Sequence, residues 1–127
     1  MAFGYHHFDK GTVPPIEYNV GKAGEEFTVG ETLTLGGDGL TKCAATAVPT
    51  HICVGPRMAD DTVPATRVQA DIEYTAPLTA DGAALKVGDK VTISADGLGV
   101  TATTASGVAK LAALEGTGVG DRVRVRF

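Results

Sequence analysis

Apolar and polar residues alternate with period two along most of the chain. Phe27-Thr28-Val29 and Leu33-Thr34-Leu35 each put apolar side chains on one face and polar ones on the other, the pattern of half-buried strands. Gly36-Gly37-Asp38-Gly39 predicts a tight turn, because Gly and Asp tolerate positive φ. A second strand is predicted through Leu40–Thr46, and a short apolar one over His51–Val54, stopped by Gly55-Pro56. Residues 57–66 (RMADDTVPAT) read as an exposed loop. Arg67–Tyr74 alternates again through Val68, Ala70, Ile72 and Tyr74. The segment 105–115 (ASGVAKLAALE) fits either a strand with a bulge or a short helix capped by Ser106, and the pattern leaves both open.

An internal repeat organises this pattern. VGETLTLGGDGLTKCAAT (29–46) aligns without gaps on VGDKVTISADGLGVTATT (87–104), with eight of 18 positions identical. The identities include Thr34/Thr92 and the turn residues Asp38/Asp96, Gly39/Gly97 and Leu40/Leu98. Each unit reads as Gly-acid turn, strand, Asp-Gly turn, strand, and VGDRVRVRF (119–127) is a partial third echo. Two related hairpins curling into one barrel-like domain fit better than a solenoid, which needs three or more stacked repeats.

The first 26 residues differ. Together with Phe27 they hold five of the seven aromatics, and Pro14-Pro15 forbids a helix between residues 12 and 17. Such a segment either lies along its own domain or docks on a partner. The expected division is an extended N-terminal arm, residues 1–26, and a β-rich domain, residues 27–127.

Composition narrows the chemistry. The 127 residues include 17 glycines and no tryptophan, which with the β-branched content favours short strands and turns. A net charge of −4 argues against nucleic-acid binding, which needs a phosphate-neutralising surface. No apolar run approaches the ~18 residues of a membrane span, and no basic-then-apolar leader opens the chain. The expectation is therefore no membrane partner and synthesis in a cytoplasm.

Catalytic and metal chemistry find little support. His6 and His7 are adjacent and point to opposite faces of an extended chain. Cys43, Cys53 and His51 offer three soft ligands, but two cysteines are more simply read as small buried hydrophobes. The pairs Glu25-Glu26 and Asp60-Asp61 sit in polar loops, and neither Ser94 nor Ser106 lies in a nucleophile elbow. No enzyme, cofactor or metal site is expected. One basic cluster stands out: Arg122, Arg124 and Arg126 share a strand face at ~7 Å intervals, suited to an acidic protein surface or to the solvated outer face of an edge strand.

The VGE-x-LTL and VGDKVTIS strands, the DGL turns, the Ala/Gly/Thr-rich strands and the final GDRVRVRF resemble the small phage head decoration, or capsid cement, proteins. The resemblance covers residues ~27–127 as an overall pattern rather than a sharp motif. It implies an all-β domain of the small β-barrel or sandwich type (β-tulip), with at most one short helix, often a homotrimer on the outer capsid surface. It further implies a structural virion protein, made in the host bacterial cytoplasm, that clamps neighbouring major capsid protein subunits. In several family members an N-terminal arm adds a strand to a capsid loop. The matching segment here carries Phe3, Tyr5, Phe8, Pro14, Pro15, Ile16 and Tyr18 as candidate contacts. The His-His and Pro-Pro features match no family pattern. A second reading is a virion accessory barrel that binds a host glycan or receptor. It is weakened by a single Asn, a single Gln and few aromatics outside the N-terminal segment.

Overall fold

The computed structural model describes residues 2–127. Among them there are ten strands and no helix: β1 (Gly4–Phe8), β2 (Ile16–Val20), β3 (Thr32–Gly36), β4 (Gly39–Lys42), β5 (His51–Cys53), β6 (Thr62–Arg67), β7 (Ile72–Pro77), β8 (Lys90–Val91), β9 (Ala109–Leu114) and β10 (Arg122–Arg126). They form two antiparallel five-stranded sheets packed together, in the orders β1-β7-β10-β9-β8 and β2-β6-β5-β3-β4. The chain adopts the all-β fold expected from the alternation, as two packed sheets, and residues 109–114, for which the pattern leaves both strand and helix open, are strand.

Two cores follow from that alternation. Between the sheets, Tyr74 is wholly buried, in one cluster with Phe3, Ile52, Ile72, Leu111, Val123 and Val125. Its ring centroid lies 5.7 Å from Tyr5 and 5.6 Å from Phe127, tilted geometries that suit aromatic quadrupoles. The second cluster is Phe27, Leu33, Leu40, Cys53, Val63 and Ala65. Ile52 belongs to the first and Cys53 to the second, so the two clusters occupy opposite faces of the β2-β6-β5-β3-β4 sheet. That sheet curls around its second cluster. Lys22 N–H donates to Leu40 O at 2.8 Å, returning the end of β2 to β4. Gly39 has φ +102°, and any Cβ there would run into the Val20 carbonyl, so the closure depends on glycine.

Both repeat units fold as hairpins. The first is β3–β4, closed at Gly36 and Gly39. In the second, Ser94 N–H donates to Gly99 O at 2.9 Å, and Asp96 Oδ1 accepts from Leu98 N–H at 3.0 Å and from the Ser94 hydroxyl at 2.6 Å. The hairpins meet where Thr32 N–H donates to Gly97 O at 2.9 Å.

Four expectations change. The strand predicted through Thr46 ends at Lys42. Residues 62–66 are not loop but belong to β6, with Val63 and Ala65 fully buried. Pro64 is tolerated because its missing donor falls where β5 ends, while its carbonyl still accepts Val54 N–H at 2.9 Å. Arg67–Tyr74 is not one strand: residues 68–71 carry the chain from one sheet to the other, and β7 starts at Ile72. Finally, residues 1–26 do not stand apart as an arm. β1 is an edge strand of one sheet, paired with β7, and β2 is an edge strand of the other, paired with β6. Extended Pro14-Pro15 lies in the crossover between them.

Candidate functional site

The seven N-terminal residues singled out in the sequence divide into two groups. Phe3 is 5% exposed and packs on Phe127 at 5.8 Å between ring centroids. Tyr5 packs between Tyr74 and Phe8, and its hydroxyl pairs with Thr66 Oγ1. Pro14 is buried. Phe3, Tyr5 and Phe8 therefore serve the protein's own core, where an expectation of partner contacts had placed them outside. Their aromatic partners, Tyr74 and Phe127, lie far away in sequence and are brought close by β7 and the end of the chain. Pro15, Ile16 and Tyr18 are exposed.

β2 is turned inside out for an edge strand. Ile16, Tyr18 and Val20 are 51%, 59% and 56% exposed, while Glu17 and Asn19 point inward. Register explains the layout. Tyr18 faces Pro64 across the β2–β6 ladder, and Ile16 faces Thr66, which in turn faces Ile52 on β5. These residues share the face that packs on the other sheet, but that sheet does not reach as far as β2. Its apolar row is left uncovered. Next to it, Phe3, Tyr5, Val29, Ile52, Val54 and Tyr74 line an apolar groove of about 160 Å³.

The backbone of the same edge is open. Gly21 N–H donates to Asp61 O on the β6 side, and Lys22 N–H donates to Leu40 O on the other. Alternation then directs the peptide groups of Ile16 and Tyr18 away from β6, where no described strand pairs with them. The closure onto β4 ends the open edge at Val20. A more open hollow of about 500 Å³ lies at that closure, lined by Val20, Gly21, Asp38, Arg57 and Asp61 among others. Arg57 is already committed there: its guanidinium donates to the carbonyls of Gly21, Lys22 and Glu25 and stacks 5.1 Å from the Phe27 ring centre.

The inward face of β2 carries a buried polar strap. His51 is fully buried; its Nε2–H donates to the Glu17 carboxylate Oε1 at 2.9 Å, and its Nδ1 is hydrogen-bonded to the Thr50 hydroxyl at 2.8 Å. Arg67 donates to both Glu17 oxygens, at 3.1 and 3.2 Å. The His51 hydrogen bond, aided by Arg67, holds the Glu17 carboxyl below its usual range. Hydroxyl, imidazole and carboxylate in a row superficially match a hydrolase relay. Thr50 Oγ1, however, also accepts Leu35 N–H at 2.8 Å, and the imidazole is sealed from solvent, so the group ties β2 to β5 and β6. Sequence reasoning missed this strap. Its one signal was an acid at the centre of an apolar alternation, Ile16-Glu17-Tyr18.

The arginine row lies on the outer face of its sheet, but not on an edge strand. β10 is an inner strand, between β7 and β9, with Val123 and Val125 buried. Arg122 donates to Thr75 Oγ1 and Ala2 O, Arg124 pairs with Glu115 at 3.1 Å, and Arg126 makes a two-pronged contact with Asp9 at 2.7 and 2.9 Å. The three guanidiniums lace the outer face of their own sheet. Cys43 and Cys53 are buried free thiols, each donating to a nearby carbonyl, and burial pushes both upward in pKa. Among the described residues no three His, Cys, Asp or Glu side chains are grouped to hold a metal ion.

Comparisons with protein-family models, with curated proteins and with solved structures find no match for this chain.

Proposed function

We propose that this protein is a structural virion protein that binds the outer surface of a phage capsid and stabilises it by clamping neighbouring major capsid protein subunits. It would be made in the host bacterial cytoplasm and act as a homotrimer on the shell. The resemblance of its strand and turn pattern to capsid decoration proteins supports this reading, and one structural observation carries it: the uncovered apolar row of Ile16, Tyr18 and Val20 on an open strand edge.

The physics of such an edge suits protein docking. A partner strand laid against β2 satisfies the free peptide groups of Ile16 and Tyr18, and the outward side chains select its apolar residues. Tyr18 alone can bury on the order of 150–250 Å². Because β2 is already ordered on β6, the ~1–2 kcal/mol per residue of backbone ordering falls on the partner only. Three such edges on a trimer multiply a modest contact by avidity.

The test is to sediment purified protein with undecorated capsids and quantify what is bound against coat protein. Saturable binding at a fixed ratio to coat protein supports the proposal. Absence of binding to every candidate capsid overturns it.

A further inference from the structure

The junction between the two hairpins contains a carboxyl group for which the described residues supply no hydrogen-bond partner. Glu31 is 3% exposed, and its Oε2 is buried without a hydrogen bond. It stands where three parts of the chain converge. Glu31 O accepts Cys53 N–H at 2.9 Å, binding it to β5. The next residue, Thr32, donates its N–H to Gly97 O in the turn of the second hairpin. The preceding residue, Gly30, accepts Phe3 N–H at 3.1 Å and so holds the start of β1. Gly30 has φ +86°, and a Cβ there would strike Ala2, which shows how closely the N-terminal strand lies on this junction.

Burial disfavours the ionised form of Glu31, and the charges around it oppose one another. Lys42 on β4 attracts a negative charge there, but Glu25 from the loop before β3 and Asp96 from the second hairpin repel it. Cys53 on β5 is a neutral thiol whose own ionisation Glu31 opposes. A buried carboxylate with an unpaired oxygen is costly, whereas the neutral acid avoids most of that penalty.

We propose that Glu31 is a proton-operated latch: neutral, it lets the junction of the two hairpins and the N-terminal strand close; ionised, it loosens that junction. Burial, outweighing the attraction of Lys42, raises its pKa to about 7. The sign follows from linkage. A carboxyl whose folded value lies above its unfolded value of 4.5 binds more protons when folded, so the fold is favoured at low pH. That advantage declines as pH rises from the unfolded value and is fully lost above the folded one. The motion released is local, centred on Phe3, Thr32 and Gly97, and would alter how β1 and the adjacent apolar groove are presented. The latch does not depend on the capsid proposal.

Two measurements test it. In a carbon-13 NMR titration of the intact protein, the Glu31 carboxyl should titrate near neutrality, and the protection factors of the Phe3 and Thr32 amides should fall across the same range. In Glu31→Gln, a neutral isostere, that fall should disappear while the fold persists. A Glu31 midpoint in the ordinary carboxylate range overturns the latch, even where the variant fails to fold. So do protection factors that fall identically in Glu31→Gln and the unsubstituted protein. Failure of capsid binding would leave both readouts unaffected.

Discussion

Glu17 Oε1 lies 2.9 Å from Nε2 of the buried His51, and this pair sets the orientation of β2. A strand whose central acid is drawn inward must turn its neighbours outward. Ile16 and Tyr18 therefore share the opposite face, which the other sheet does not reach, and the docking edge stands over the polar strap.

Replacing Glu17 by Ala leaves the His51 imidazole sealed in the fold without its acceptor and Arg67 without its carboxylate. A loss of about 1–3 kcal/mol is expected, the usual penalty for an unsatisfied buried group, measured by urea unfolding. The pair is also acid-sensitive. With the Glu17 carboxyl held below its ordinary value, its stabilising contribution is present above pH 4.5 and is lost as pH falls through the lowered value. Unfolding midpoints collected on the acid side should drop for the native protein and less for Glu17→Ala.

Tyr74 anchors the core between the sheets. Tyr74→Ala should cost about 3–5 kcal/mol through the cavity it leaves. Tyr74→Phe should be mild, since the hydroxyl receives only a long 3.4 Å contact from Gln69 N–H. Burial pushes the phenol up to about 12, so ionising it opposes folding. Stability should decline as pH rises above 10, and absorbance titration should show the Tyr74 phenol ionising well after a free tyrosine or only on unfolding.

Cys43 and Cys53 should resist thiol reagents in the folded protein, because both are buried and burial keeps them protonated. Two thiols should become reactive together in denaturant. Rapid labelling of either in native buffer would show that the fold opens locally around it.

Much of this architecture was legible in the chain. The repeat and its Asp-Gly turns identified both hairpins, period-two alternation marked β3 and β10, and a short apolar run marked β5. What escaped depended on contacts distant in sequence. Phe3 and Tyr5 looked like anchors for a partner because nothing nearby could pack on them; their partners are Phe127 and Tyr74. The arginines of β10 looked free because Asp9 and Glu73 reach Arg126 only through β1 and β7. β6 was hidden by Pro64, a strand breaker rendered harmless by where β5 stops. Ile16 and Tyr18 remain exposed, as an arm that docks on a partner requires, but they stand on a strand of the sandwich. Deleting residues 1–20, the natural experiment on a detached arm, would remove two edge strands and a core phenylalanine, and the loss of binding would report unfolding.

The most direct measurement is therefore capsid occupancy by Tyr18→Lys beside the unsubstituted protein, at matched concentrations, with thermal unfolding of both. Tyr18 is exposed and makes no hydrogen bond through its side chain among the described residues, so the fold should change by no more than ~0.5 kcal/mol. The β2 edge predicts that occupancy below saturation falls at least ~10-fold, equivalent to about 1.4 kcal/mol of lost contact. A folded Tyr18→Lys that fills capsids as well as the native chain would contradict the β2 edge as the docking surface.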